Sequence, residues 1–267
     1  MNLIVDIGNT RTKYAVYDDG DWVVCGMGVP EAYELASAYL HRGQEVNMIL
    51  SSTGAISEEV REHLKSVSTF FCEMSPEMDL PIRLGYDTPK TLGVDRIAGC
   101  VGGVVLFPGK ELLIIDSGTA ITYDFVSADG EFRGGNISPG LGIRFRALNE
   151  FTVSLPLVKC DVKHGYIGKN THDAILNGVM NGTLFEIRGY IDEIYRDNPD
   201  AVVIITGGGS EYLKKTLNRS VFFEDKLVNL GLNRVLEYQK RFRPVFVYAY
   251  DFTAHGGSLS ETNAAKI

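Results

Sequence analysis

Two short stretches of this chain carry residues that can hold a phosphate and a metal ion. Asp6-Ile7-Gly8-Asn9-Thr10 lies between two apolar runs near the start. Asp116-Ser117-Gly118-Thr119 lies between two others in the second half. Backbone N–H groups of glycine and small residues can point at phosphate oxygens, and a Thr hydroxyl adds a donor. A carboxylate at a strand end can hold a metal ion directly or through water. Lys13 follows the first stretch and can reach back as a cation. Each stretch taken alone also reads as a plain Asx-type turn between strands. Two copies at equivalent places favour the functional reading, with two turns gripping a nucleotide triphosphate from both sides of a cleft.

Three further stretches bear on chemistry. In "TLGVDRIAG", Asp95 and Arg96 open an apolar helix. Asp95 reads either as an acid favoured by the helix dipole with Arg96 as a surface partner, or as a base for a substrate hydroxyl. Arg96 would then anchor a carboxylate through its fork. "TGGGSEYL", from Thr206, is either a strand-to-helix turn or a platform for adenosine, and it lacks the spacing of a dinucleotide fingerprint. "GYIGKNTH" is a near miss for a P-loop, since Asn170 follows Lys169. Thr171 is most simply a helix N-cap. Ser117 is no esterase nucleophile, because Ile115 stands where that motif needs glycine.

These groups must be positioned by a fold that the apolar pattern makes partly visible. "LIVDIG", "TKYAVYD" and "WVVCG" read as strands, "EAYELASAYLHR" as a helix and "VNMILSST" as a buried strand. A helix capped by Ser57, a short strand "TFFCE", a Pro-rich connection and the helix bearing Asp95 complete the first half. "ELLIIDSGTAITYDFV" then restarts the plan, with "EFRGGNIS" as its third strand. This repetition predicts a duplicated domain, with the boundary near Lys110. The stretch from Pro139 to Val158 reads as a loop. A long helix from about Thr171 to Tyr195 follows, with apolar steps at Ile175, Val179, Leu184, Ile187, Ile191 and Ile194. "AVVIITGGGSEYLKKTL" is a strand, a glycine turn and a helix, and "DKLVNLGLNRVLEYQKRF" is a late helix. "RPVFVYAYDF" reads as an added strand, and the last dozen residues as a polar tail.

Composition narrows the classes. The chain has 267 residues, 45% of them apolar, and a formal charge of −8. It can therefore bury a sizeable core, and its charge argues against a nucleic-acid partner. No apolar run approaches the length of a membrane span, and the first residues lack the layout of a signal peptide. The four cysteines, at 25, 72, 100 and 160, form no C-x-x-C pair. They are expected to be buried free thiols in a reducing compartment, and a cytoplasmic location is expected.

Taken in order, "DIGNTRTK", "GYDTPKTLGVDR", "IDSGTAIT", "GGNISPGL", "LP" at 155–156, "GKNTHDAI" and "ITGGG" resemble the motifs of the type III pantothenate kinase family. The match runs from residue 3 to about 240, and the stretch after Arg243 lies outside it. The resemblance implies an α/β fold: a duplicated ribonuclease-H-like fold of the actin-like and sugar-kinase superfamily, with two similar domains, 1–110 and 111–267, of mixed sheets flanked by helices. It implies ATP in the interdomain cleft, and phosphorylation of pantothenate at its primary hydroxyl, the first committed step to coenzyme A. Asp6, Ile7, Gly8, Asn9, Thr10, Arg11, Thr12 and Lys13 then match the first ATP phosphate loop. Asp116 matches a ligand for a monovalent cation, potassium or ammonium, and Thr119 an ATP contact. Mg²⁺ accompanies ATP, with Asp6 as its direct or water-mediated partner. Gly93, Val94, Asp95 and Arg96 match the pantothenate contact, with Asp95 the proton acceptor; Tyr86 and Thr171 match the remaining substrate positions. The family is typically a homodimer with its substrate pocket completed near the subunit interface, and the long helix after Thr171 is the candidate interface. Ser117 stands where many relatives have Ala, which should not disturb a turn built on backbone N–H groups. Three rival readings share the fold: a kinase for another small hydroxyl-bearing metabolite, a non-catalytic accessory factor in gene expression, and an ATPase switch.

Overall fold

The computed structural model describes residues 1–8 and 11–242. Two sheets dominate it. The first runs in the order β3-β2-β1-β4-β5, from β1 (Asn2–Ile7), β2 (Thr12–Asp18), β3 (Asp21–Met27), β4 (Asn47–Ser52) and β5 (Phe70–Glu73). The second runs β11-β10-β7-β8-β9-β6, from β6 (Arg83–Leu84), β7 (Leu112–Ser117), β8 (Ala120–Val126), β9 (Glu131–Pro139), β10 (Val202–Thr206) and β11 (Phe222–Phe223). In each sheet three consecutive strands pair antiparallel, and the first of them is flanked on its other side by two parallel strands. β7 therefore repeats β1, β8 repeats β2, and β10 repeats β4. The duplication read from two similar stretches is a repeat of whole sheet topology.

Seven α-helices are described: α1 (Val29–His41), α2 (Glu58–Ser66), α3 (Val94–Leu106), α4 (Leu141–Glu150), α5 (Thr171–Asp197), α6 (Ser210–Thr216) and α7 (Leu227–Lys240). They form layers because the inner strands are apolar on both faces. In β1, Leu3 and Val5 pack against α1 and α2, while Ile4 points to the opposite side. In β7, Leu113 and Ile115 face α5, while Leu112 and Ile114 face α3 and α7. This two-residue alternation is what a strand buried on both faces requires. The order is thus α1 and α2, first sheet, α3 with α7, second sheet, then α4, α5 and α6.

The middle layer joins the halves. α3 packs on β7 and β8, whereas α7, from the far end of the chain, packs on β1, β4 and β5. The two helices touch backbone to backbone. A Cβ at Gly231 would lie 1.7 Å from the Ala98 carbonyl oxygen, and one at Gly102 would lie 2.3 Å from that of Leu227. Only glycine permits this approach. β6 comes from the N-terminal half yet forms the edge of the second sheet, parallel to β9. Elements on both sides of Lys110 thus cross between the lobes and hold the sheets in a fixed relation.

Several expectations need correction. The stretch after Pro139 is not all loop, for α4 occupies Leu141–Glu150. Its buried side is Leu141, Phe145 and Leu148. Arg144 locks it by donating to the Pro139 carbonyl (2.6 Å), Ser138 (2.7 Å) and Glu186 of α5 (2.5 Å). Gly142 and the lack of a capping side chain hide this helix in the sequence. The Pro-rich connection contains β6 and a 3-10 turn at Pro89–Thr91. Thr171 is not the N-cap of α5; Asn170 is, its side chain accepting from the Asp173 N–H. Of the four cysteines only Cys100 is buried, with Cys72 half-buried and Cys25 and Cys160 exposed. The proposed strand "RPVFVYAYDF" and the polar tail lie outside the described residues. Among the described residues no helix is long and apolar enough to cross a membrane.

Candidate functional site

Asp6 and Asp116 occupy the same place in the two sheets. Asp6 is paired with Lys13 across the β1–β2 hairpin and with Ser51 on parallel β4. Asp116 is paired with Thr122 across the β7–β8 hairpin and with Thr206 on parallel β10. Each sits near the end of its strand, where a topological crevice forms in an open α/β sheet. The hairpin turns close alike, the Gly8 N–H donating to the Arg11 carbonyl and the Gly118 N–H to the Ala120 carbonyl, both at 3.0 Å. Asn9 and Thr10 lie outside the described residues. Arg11 and Lys13 are exposed, as are Gly118 and Thr119.

The two turns and the start of α3 share one electrostatic neighbourhood. Burial pushes the Asp6 carboxyl above its usual range; the Ser51 hydroxyl, donating at 3.1 Å, opposes this, and the negative charge of Asp95 adds to it. Burial likewise pushes Asp116 up to about 6, with the charges of Asp95, Asp124 and Asp6 in the same direction and Lys13 against. Asp95 and Lys13 are therefore near enough for their charges to act on both Asp6 and Asp116, although the four come from α3, β2, β1 and β7. Asp95 is held at the first turn of α3, its Oδ1 accepting from the Arg96 N–H at 2.9 Å.

Arg96, expected either as a surface partner of Asp95 or as an anchor for a carboxylate, is only 8% exposed, so it is no surface residue. It donates from Nε (2.8 Å) and Nη2 (2.5 Å) to one oxygen of Asp124, which is 1% exposed. Thr122 donates to the other oxygen at 3.2 Å. The Arg96 guanidinium lies over the ring of Phe132, 5.6 Å from its centroid, and Tyr86 packs on the same ring at 5.7 Å. Burial works against the charge of Arg96, but its hydrogen bonds to Asp124, that residue's charge and a smaller contribution from Tyr86 outweigh this, so its pKa stands above the ordinary value. Tyr86, Gly93, Val94, Asp95 and Arg96 are thus brought together.

The glycine turn after β10 backs onto the β7–β8 hairpin turn. The Gly209 N–H donates to the Ser117 carbonyl at 2.8 Å. Gly207 has φ +88°, and a Cβ there would lie 2.2 Å from Asp116 Oδ1. Glycine is needed on both counts. On the other side of the turn a cavity of about 470 Å³ is lined by Gly118, Thr119, Arg146 of α4, Leu157 and Lys159. Thr171 is the residue set apart. It is exposed and lines a separate cavity of about 590 Å³ with Leu148, Leu155, Lys169, Ala174 and Gly178.

Sequence reasoning missed Ser51, Asp124 and Phe132. A signal existed for two of them. "VNMILSST" is a buried strand that ends in hydroxyl residues, and Asp124 is a carboxylate within the apolar run "ITYDFV".

A family profile for type III pantothenate kinases matches residues 2–193. A type III pantothenate kinase of Phocaeicola vulgatus is 40% identical over 242 residues, covering 90% of this chain and all (100%) of the relative. One from Porphyromonas gingivalis is 40% identical over 241 residues, covering 89% and 98%. Among solved structures, a Campylobacter jejuni chain assigned to the Baf family has a TM-score of 0.59 at 20% identity, covering 90% of this chain and 99% of that one. A glucokinase from an Antarctic psychrotroph has a TM-score of 0.51 at 10% identity, covering 89% and 98%. These two share the duplicated two-sheet architecture. With the profile spanning most of its length and full-length relatives at this identity, the chain belongs to the type III pantothenate kinase family.

Proposed function

We propose that this chain transfers the γ-phosphoryl group of ATP to the primary hydroxyl of pantothenate, the first step toward coenzyme A. The observation that supports the reading is that the charge of Asp95 acts on Asp6 and Asp116 alike, the two carboxylates at equivalent strand ends. A base placed between two phosphate grips can deprotonate an acceptor where the γ-phosphate arrives. Asp95 takes the hydroxyl proton as the new O–P bond forms and the bond to the ADP oxygen breaks. Phosphoryl transfer needs mainly placement and charge neutralisation from the protein. In this reading the loop from Asp6 to Lys13, with Ile7, Gly8, Asn9, Thr10, Arg11 and Thr12, grips the phosphates from one lobe. Thr119 grips them from the other. Tyr86, Gly93, Val94 and Arg96 line the acceptor side. The halves of the chain that build the lobes are 1–110 and 111–267, with β6, α3 and α7 crossing between them.

ATP kinases of this kind work with a divalent metal, and Mg²⁺ keeps several waters and substrate phosphates among its ligands. Asp6 would supply a direct or water-mediated protein contact. The donor set at Asp116 fits a monovalent cation, potassium or ammonium: a single carboxylate, driven toward neutrality by burial and by like charges. A bound cation would let it stay ionised at neutral pH and would offset the negative charge around the phosphates.

The protein in this reading is a cytoplasmic homodimer. Phe151, Val153, Leu157, Tyr166, Ile167 and Phe185 are large apolar side chains left exposed on the 151–167 segment and the outer side of α5. The apolar stripe of α5 noted in the sequence is buried in its own lobe, so the interface uses the opposite side of that helix. The separate cavity of Thr171 supports a contact made with the acceptor held by a second copy. Phosphopantothenate formed from ATP and pantothenate in a potassium buffer tests the activity. Light scattering tests the dimer.

A further inference from the structure

An anchor for a carboxylate must be charged, desolvated and fixed in direction. Arg96 has these properties because of one residue that sequence reading passed over. Asp124, on the face of β8 turned toward α3, takes the Nε and Nη2 donors of Arg96 on a single oxygen. Its second oxygen is tied by Thr122, so neither partner can swing without leaving a buried charge unpaired. The pair is framed tightly. A Cβ at Gly135 of β9 would lie 2.7 Å from both Arg96 Nη2 and Asp124 Oδ1, and Phe132, fully buried, lies under the guanidinium. Arg96 therefore has its side-on edge occupied by Asp124, with Tyr86 a further hydrogen-bonding neighbour of the guanidinium. The Nη1–Nη2 end is the edge that Asp124 does not take.

We propose that Asp124 is a positioning residue for the acceptor's carboxylate: by holding the Nε–Nη2 edge of Arg96, it aims the terminal edge at the substrate, so preference for an acid over its neutral analogue depends on a residue that acts on the acceptor through Arg96. The inference rests on the proposed pantothenate kinase reading. It revises the simplest picture of Arg96, since the side-on fork usual in Arg–carboxylate pairs is already committed inside the protein.

The test compares two acceptors, pantothenate and the alcohol in which CH₂OH replaces its carboxylate. Steady-state ADP release is measured for the full-length chain and for Asp124→Asn. The expected result is a KM for pantothenate raised about tenfold or more, as for a charged hydrogen bond lost from a desolvated site. KM for the alcohol and KM for ATP should stay within about twofold. A structural role alone would move both acceptors equally, and that outcome overturns the proposal. If Asp124→Asn shows no cooperative melting, Thr122→Val decides, because it frees one Asp124 oxygen and keeps the charge pair. A smaller shift confined to pantothenate supports the proposal, and equal KM changes for the two acceptors refute it. A wild-type chain that phosphorylates neither acceptor refutes the kinase reading itself, which separates the two failures.

Discussion

The two hairpin turns that follow Asp6 and Asp116 share a topology and differ in what surrounds their aspartates. In the first, four residues link the paired Ile7 and Thr12, Lys13 stands across from Asp6, and Ser51 donates to it. In the second, three residues link Ser117 and Ile121, and Thr122 stands where Lys13 does in the first. Among the described residues no side chain donates to the Asp116 carboxylate, while Thr122 turns its hydroxyl to Asp124. The first carboxylate is thus compensated by a hydroxyl and by the charge of Lys13, and the second by the charge of Lys13 without a hydrogen-bond donor of its own. In the proposed reading the second turn takes a cation, so that side chains at equivalent registers divide the work between gripping phosphate and recruiting a counter-ion.

The largest effect expected is at the group shared by both turns. Asp95→Asn should lower kcat by about 10²–10⁴-fold, the usual contribution of a positioned base, with an unchanged melting temperature. Near-normal turnover would remove Asp95 from the chemistry and leave the turns with nothing between them.

Lys13→Met should come next, raising KM for ATP by about tenfold through loss of a charged contact. An unchanged KM for ATP would mean that the first turn does not owe its grip to its cation, and the contrast with Thr122 would lose its meaning.

Asp116→Asn sharpens the comparison without an activity assay. The folded-state pKa of Asp116 is raised to about 6 from an ordinary value of 3.8. The native state therefore binds more protons than the unfolded state in this window. This group's contribution to stability falls as pH rises from about 4 through 6 and stays unfavourable above that. The wild type should gain thermal stability when potassium replaces a bulky organic cation at pH 7.5. Asp116→Asn should melt higher in the potassium-free buffer and lose the potassium response. A potassium response that survives in the variant would place the cation elsewhere.

The smallest effect is expected at Ser51→Ala. Loss of its hydrogen bond to Asp6 costs about 1 kcal/mol and should raise KM for ATP only a few-fold. A loss as large as that of Lys13→Met would show that the hydroxyl, and not the lysine, is the main compensating group of the first turn.

Much of this division was legible before any coordinates. The strand–Asp–turn–strand pattern appears twice in the chain, and topology made it a true repeat, because alternating apolar runs define strands on both sides of each turn. Asp95 and Arg96 were placed at the head of a helix by the apolar run that follows them, and α3 begins at Val94. What could not be read was pairing across long separations. Arg96 and Asp124 meet only because α3 lies on β8, and Ser51 meets Asp6 only because β4 joins β1 in parallel. α4 was hidden because its fixing contacts are long-range: Arg144 to Glu186 of α5, and Phe145 into the core. The cap of α5 lies one residue before the expected Thr171, since Asn170 and Thr171 are both competent and only geometry chooses between them.

The central claim is that both lobes close on one nucleotide with Asp95 between them and pantothenate as acceptor. Mass spectrometry of a reaction containing the chain, Mg-ATP and pantothenate, run with and without potassium, tests it most directly. The account predicts phosphopantothenate in equal amount to ADP, dependent on potassium and absent with Asp95→Asn. ADP formed at the same rate without pantothenate, or phosphopantothenate formed undiminished by the variant, would contradict it.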